Sequence, residues 1–264
     1  MTENANLYSK IIELIFFKYY QEGSTEIQFA RSEISQTAAM LGKEVKNIGD
    51  LIYTFRYRKD LPERIVNTTP QGLEWIIRPA GIAIYKFVLT TKFIVAPSPL
   101  LAETKIPDAT PGIINQYALS DEQALLAKLR YNRLVDLFLS LTCYSLQNHL
   151  RTTVRNVGQI ETDEIYIGLD KRGAHYVIPV QAKGGKDRIG RIQIEQDIAM
   201  CAAKFPHLIC LPLAAQFMDN NLIALFAFEE GEKDLVIATE RHYRLVRPQE
   251  LTVEELTIYR ERRA

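Results

Sequence analysis

A chain of 264 residues, 47% hydrophobic and 24% charged, carries enough apolar material for one large domain or two smaller ones. Its 32 basic and 32 acidic side chains cancel, which is not the basic balance of a generic nucleic-acid binder, so any such contact falls to local clusters. No run reaches the roughly 20 apolar residues of a membrane span, and the stretch Leu14-Ile15-Phe16-Phe17 is too short and too charged at its flanks for a signal peptide. Cys143, Cys201 and Cys210 lack metal-ligand spacing and read as buried thiols of a reducing compartment, so the expected location is the cytoplasm, away from membranes. The sequon Asn67-Thr68-Thr69 carries no weight without a secretory signal.

Apolar residues at helical spacing predict a first helix over 6–21, stopped near Gly23, and a short strand follows over 25–29. Ser32 is expected to cap a helix over 33–41 ended by Gly42, and Ile48, Leu51, Ile52 and Phe55 share one face of a third helix over 45–58. A hairpin is predicted from strands over 74–78 and 82–89 around Pro79-Ala80-Gly81. Helix, strand, helix, helix, hairpin is the order of a winged helix. Four prolines from Pro97 to Pro111 mark an extended linker, which sets the expected domains at 1–95 and 119–264 with the linker at 96–118. Ser120 then begins a helical stretch predicted to reach about His149. Strands are expected over 152–157, 159–169 and 174–183, a helix over 191–204, and strands over 208–216, 222–228 and 243–246. The last 35 or so residues have no assigned structure.

The chemistry concentrates in two of those strands. Alternate residues of a strand share a face, so Glu161 goes with Asp163 and Gln181 with Lys183. A hairpin centred near position 172, in the turn Asp170-Lys171-Arg172-Gly173, sets Asp163 opposite Gln181 and Glu161 opposite Lys183. Clustered oxygen ligands beside a lysine suit metal-assisted phosphodiester hydrolysis. Magnesium takes one or two protein carboxylates plus water and phosphate, and the lysine stabilises developing negative charge. His175, His207 and His242 show no zinc spacing with the cysteines, and neither a nucleophile elbow nor a nucleotide-cradling glycine loop is present.

The run Gly158-x-x-Glu161-x-Asp163-x-Ile165, a hairpin, and then Val180-Gln181-Ala182-Lys183 resembles the active-site hairpin of the PD-(D/E)XK nuclease superfamily, which includes many restriction enzymes. The resemblance implies an α/β (α+β) chain: a winged-helix-like domain followed by a restriction-endonuclease-like core with a mixed central sheet flanked by helices. It implies metal binding by Asp163 and Glu161, completed by Gln181 and the carbonyl of Ala182, with Lys183 as the catalytic lysine. Gln181 departs from the family's Glu or Asp and brings no charge. The implied cofactor is Mg²⁺, with Mn²⁺ as a substitute, and the implied activity is type II restriction cleavage of double-stranded DNA by a homodimer. The alternatives are a structure-selective repair or phage-type nuclease, and an inactive DNA-binding regulator. Gln193, Gln196 and His149 are expected near the site, and Lys186 and Arg188 on the DNA backbone. In the front domain Lys46, Asn47, Tyr53, Arg56 and Arg58 are the expected DNA contacts.

Overall fold

The computed structural model describes residues 2–117, 122–155, 157–184, 189–218, 221–231 and 234–262; the side chains of residues 2–5, Tyr57 and Arg58 lie outside the description. The chain divides into two compact units, Met1–Ile94 with Thr153–Gln159, and Val95–Thr152 with Ile160–Ala264.

In the first unit, α1 (Thr2–Tyr19), β1 (Glu26–Ala30), α2 (Arg31–Met40), α3 (Ile48–Tyr53), a π-helical turn (Thr54–Arg58) and α4 (Glu63–Val66) precede β2 (Leu73–Gly81) and β3 (Ile84–Thr91). The three strands pair in the order β1-β3-β2, antiparallel throughout. Phe16 anchors the core, its ring 5.1 Å from Phe87 and 5.2 Å from Trp75, with Ile11, Ile12, Ile15 and Phe29 buried beside it. Ser32 does not cap α2. Ala30 takes the N-cap position, and its N–H is met by the Glu33 carboxylate at 2.8 Å, a side-chain return from inside the first turn. The expected third helix changes pitch half-way. Thr54 Oγ1 donates to the Asp50 carbonyl at 2.8 Å, crowding the α-ladder, and the wider turn closes with Lys59 N donating to Thr54 O at 2.8 Å. The hairpin turn lies later than Pro79-Ala80-Gly81: Gly81 pairs with Ile84 after a register shift at Pro79, leaving Ile82 and Ala83 at the tip.

The second unit carries β4 (Glu103–Pro107), α5 (Gly112–Tyr117), α6 (Glu122–Tyr131), α7 (Leu134–Leu139), β5 (Thr142–Val154), β6 (Gly158–Leu169), β7 (His175–Lys183), α8 (Arg191–Lys204), β8 (Ile209–Cys210), β9 (Leu213–Phe217), β10 (Leu222–Glu230), β11 (Leu235–Val246), a 3-10 turn (Pro248–Glu250) and α9 (Val253–Glu261). Its mixed sheet runs β4-β11-β10-β9-β7-β6-β5, with β8 added beside β7. β7 is parallel to β8 and β9 and antiparallel to β6, and β4 is parallel to β11. The mixed sheet flanked by helices is therefore present. Leu125, Leu126 and Leu129 of α6 pack on Ile178, Val180 and Ala182 of β7, while α8 packs on the same strand.

Three expectations need correction here. The helix expected to reach His149 is two short helices and then a 13-residue strand, because the backbone turns left-handed at Arg133 (φ 50°) and again at Ser140 (φ 55°). The strand expected over 152–157 is the end of β5, and Ser120 lies outside the described residues. Within 96–118, expected as linker, β4 is an edge strand of the main sheet. Toward the C-terminus, Pro212 separates β8 from β9, β11 begins at Leu235, and the unassigned tail holds α9, capped by Thr252 Oγ1 accepting from Glu255 N at 3.2 Å.

Candidate active site

The hairpin of β6 and β7 is centred on position 172, as expected, from Leu169↔His175 to Glu164↔Val180. Asp170 builds the turn: its Oδ1 accepts from Arg172 N at 2.8 Å and Ala174 N at 2.9 Å, holding the Asp170 carboxyl down at about 2, and Gly173 supplies φ +84°. The ladder stops one pair short of Asp163 and Gln181. Side chains take over there. Asp163 Oδ2 accepts the Ala182 N–H at 2.8 Å, and Gln181 Nε2 donates to the Glu161 carbonyl at 3.2 Å.

Asp163 is almost buried, and burial pushes its carboxyl above the usual carboxylate range. The Ala182 N–H, Lys183 and His149 pull it back, while Glu122 pushes it further up. Those influences identify the neighbours. Lys183 Nζ, at the end of β7, donates to Glu122 Oε1 at 2.7 Å in the first turn of α6. The next residue, Gln123, shares a 2.7 Å hydrogen bond with His149 Nε2, and His149 stands in β5 at φ 48°, not at a helix end. Four elements thus bring Asp163, Lys183, Glu122 and His149 to one end of the sheet.

Gln181 belongs to a second, deeper cluster. Its Nε2 donates to Asp197 Oδ2 at 2.9 Å, and Thr162 Oγ1 donates to Asp197 Oδ1 at 2.5 Å. Asp197 is completely buried on α8, and desolvation raises its carboxyl to about 7. The neighbouring Glu164 is equally buried, with Ser145 Oγ donating at 2.5 Å and Arg130 Nε at 2.9 Å, and burial raises it too.

The remaining expected residues are placed as follows. Glu161 is exposed and pairs with Arg151 at 2.9 Å, whereas Lys183 pairs with Glu122. Ala182 gives its N–H to Asp163 and pairs with Ala215 of β9. Gln193 is occupied at the start of α8, accepting from Gly190 N at 3.3 Å, and Gln196 is buried on the same helix. Lys186 and Arg188 lie outside the described residues, as does the side chain of Arg58. In the first unit, Asn47 Oδ1 caps α3 by accepting from Asp50 N at 3.1 Å; Lys46 and Tyr53 are exposed, and Arg56 is half-buried. Glu122 and Asp197 are the functional candidates that the sequence reading missed. Asp197 did leave a signal: with Ile194 and Cys201 it shares the buried face of α8, an apolar position where an acid is costly.

Among the described residues, no group of three His, Cys, Asp or Glu side chains gathers closely enough to hold a metal ion. Magnesium asks for less: one or two carboxylates, with water and substrate phosphate completing the shell. Asp163 and Glu122, the two acids around Lys183, fit that requirement. Among the described residues no helix is long and apolar enough to cross a membrane. No protein-family model, curated protein or solved structure matches the chain.

Proposed function

We propose that the chain is a Mg²⁺-dependent DNA endonuclease of the restriction type, with a core of the PD-(D/E)XK kind. The observation that carries the reading is the meeting of Asp163 and Lys183 with Glu122 at one end of the mixed sheet, on the same hairpin whose residues resemble that superfamily. Asp163 and Glu122 would hold the cation, with Gln181 Oε1 and the Ala182 carbonyl as neutral donors, and Mn²⁺ would substitute. The bound metal supplies a Lewis acid for the phosphate oxygens. Lys183 contributes a fixed positive charge next to the phosphate, where it stabilises the charge that develops as the phosphodiester breaks. The Ala182 N–H keeps the Asp163 carboxylate in one orientation, so little reorganisation is left for the reaction.

The first unit would read double-stranded DNA as a winged helix. Its element order and the β1-β3-β2 sheet support that reading, with Lys46, Asn47, Tyr53 and Arg56 on and before its third helix. A homodimer would supply the two sites needed to cut both strands of a symmetric sequence.

The test is incubation of unmodified phage DNA with Mg²⁺ and either wild type or Lys183→Ala. Discrete fragments from wild type, absent with the variant and with a chelator, are expected. A smear or structure-dependent nicking would mean a repair-type nuclease. Intact DNA with a retained gel shift would favour a non-cleaving DNA-binding regulator, a reading supported by the engagement of the Gln181 amide with Asp197.

A further inference from the structure

In the superfamily that the hairpin resembles, the residue two before the lysine is an acid; here it is the neutral Gln181. An acidic side chain nevertheless stands one hydrogen bond behind it. Asp197 is completely buried on α8, and both of its described hydrogen-bond partners, Gln181 and Thr162, are neutral. Burying an acid among neutral partners is costly whether it is held charged or neutral, and packing alone gives no reason to keep one. The neighbouring acid Glu164 shows the ordinary solution, with Arg130 at 2.9 Å.

We propose that Asp197 is a positioning residue that supplies from α8 the charge Gln181 lacks, so that Gln181 and Asp197 together replace one metal-binding carboxylate. The inference rests on the nuclease reading above. A cation bound beside Gln181 favours the ionised form of Asp197, which accepts and never donates, so it selects one of the two orientations of the glutamine amide. Nε2 faces Asp197 and the Glu161 carbonyl, which leaves Oε1 as the amide's polar atom for a cation. A hydrogen bond from Nε2 to an anion also polarises the amide and makes Oε1 a better donor, as outer partners do for metal ligands in general. Thr162 holds the other carboxylate oxygen and keeps the pair in register with β6.

The charge can be moved to test this. The full-length protein is titrated with Mn²⁺, and free Mn²⁺ is read by electron paramagnetic resonance, a readout independent of cleavage. Asp197→Asn should weaken Mn²⁺ binding by about tenfold or more. The double variant Gln181→Glu/Asp197→Asn, which brings the charge forward onto the strand, should recover it to within about threefold of wild type. Circular dichroism and thermal melts establish that each variant is folded. If Asp197→Asn does not fold, Thr162→Val takes its place: it keeps the shape, frees one carboxylate oxygen, and should weaken binding by about threefold. Folded Asp197→Asn, or its Thr162→Val replacement, binding as tightly as wild type overturns the inference. So does a double variant no better than Asp197→Asn, the result of a purely packing role. A wild type that binds no Mn²⁺ overturns the nuclease reading itself and this inference with it.

Discussion

The interiors of the two units follow different rules. Among the described residues of the first, Thr54 is the one buried polar side chain, and its hydroxyl is satisfied by the backbone of its own helix. The side chains packed around Phe16 are aromatic or aliphatic, with ring centroids 5.0–5.2 Å apart. The second unit buries Thr162, Asp163, Glu164, Gln181 and Asp197 on three elements that meet at β7. It also shows what structural polar burial looks like. Asn132 is satisfied by Ala109, Thr110 and the Lys128 carbonyl, and Arg191 is paired with Asp234. Among the described residues, Asp197 is paired with no cation in this way. One interior is built for packing alone, whereas part of the other spends stability on charge, and that is the usual mark of a working site.

Substitutions can break this contrast, and the largest effect is expected in the apolar core. Phe16→Ala should cost about 3–5 kcal/mol by chemical denaturation, because the surrounding rings cannot collapse into the space. Asp163→Asn should remove cleavage and yet leave folding stability unchanged or raised, since it deletes a buried charge whose ionisation burial already opposes. Loss of stability on the scale of Phe16→Ala would mean that Asp163 is structural, and that the two interiors do not differ in kind.

Acidity sharpens the comparison. The folded chain holds the Asp197 proton up to about pH 7, whereas an unfolded aspartate has shed it by about pH 4. Between those values the folded state binds more protons, so stability should fall as pH rises from about 4 to 7 and level off above. The raised carboxyls of Asp163 and Glu164 act in the same direction. Melts in chelator at pH 5 and pH 7.5 should show the decline, on the order of a few kcal/mol at most, and Asp197→Asn should flatten it. An unchanged slope would place the titrating charge elsewhere.

The smallest effect belongs to the hairpin turn. Gly173→Ala should cost about 1–2 kcal/mol because of its φ of +84°, and it should leave cleavage intact, Gly173 being ten residues of chain from Asp163. A large loss of cleavage would show that the register of the hairpin depends on the turn.

Local signals carried a good part of this molecule. The centre of the β6–β7 hairpin follows from turn-forming Asp170 and Gly173 between alternating strands, and α8 follows from its apolar spacing. The helix, strand, helix, helix, hairpin order of the first unit was legible for the same reason, apart from the pitch change at Thr54 and the short α4. The helix–strand boundary at 140–142 was not legible. The two left-handed positions that end the helices are Arg133 and Ser140, where glycine would have announced a stop.

Tertiary structure alone decided how the site is assembled. Sequence spacing brought Asp163 and Lys183 to one hairpin, but an ideal ladder would have set Asp163 against Gln181. Instead the ladder ends at Glu164, and a carboxylate takes the Ala182 N–H. Glu122 reaches Lys183 from 61 residues away, and Asp197 reaches Thr162 from 35. No local pattern encodes either meeting. Each depends on which helix covers which face of the sheet, and that is settled by burial of the whole apolar surface at once.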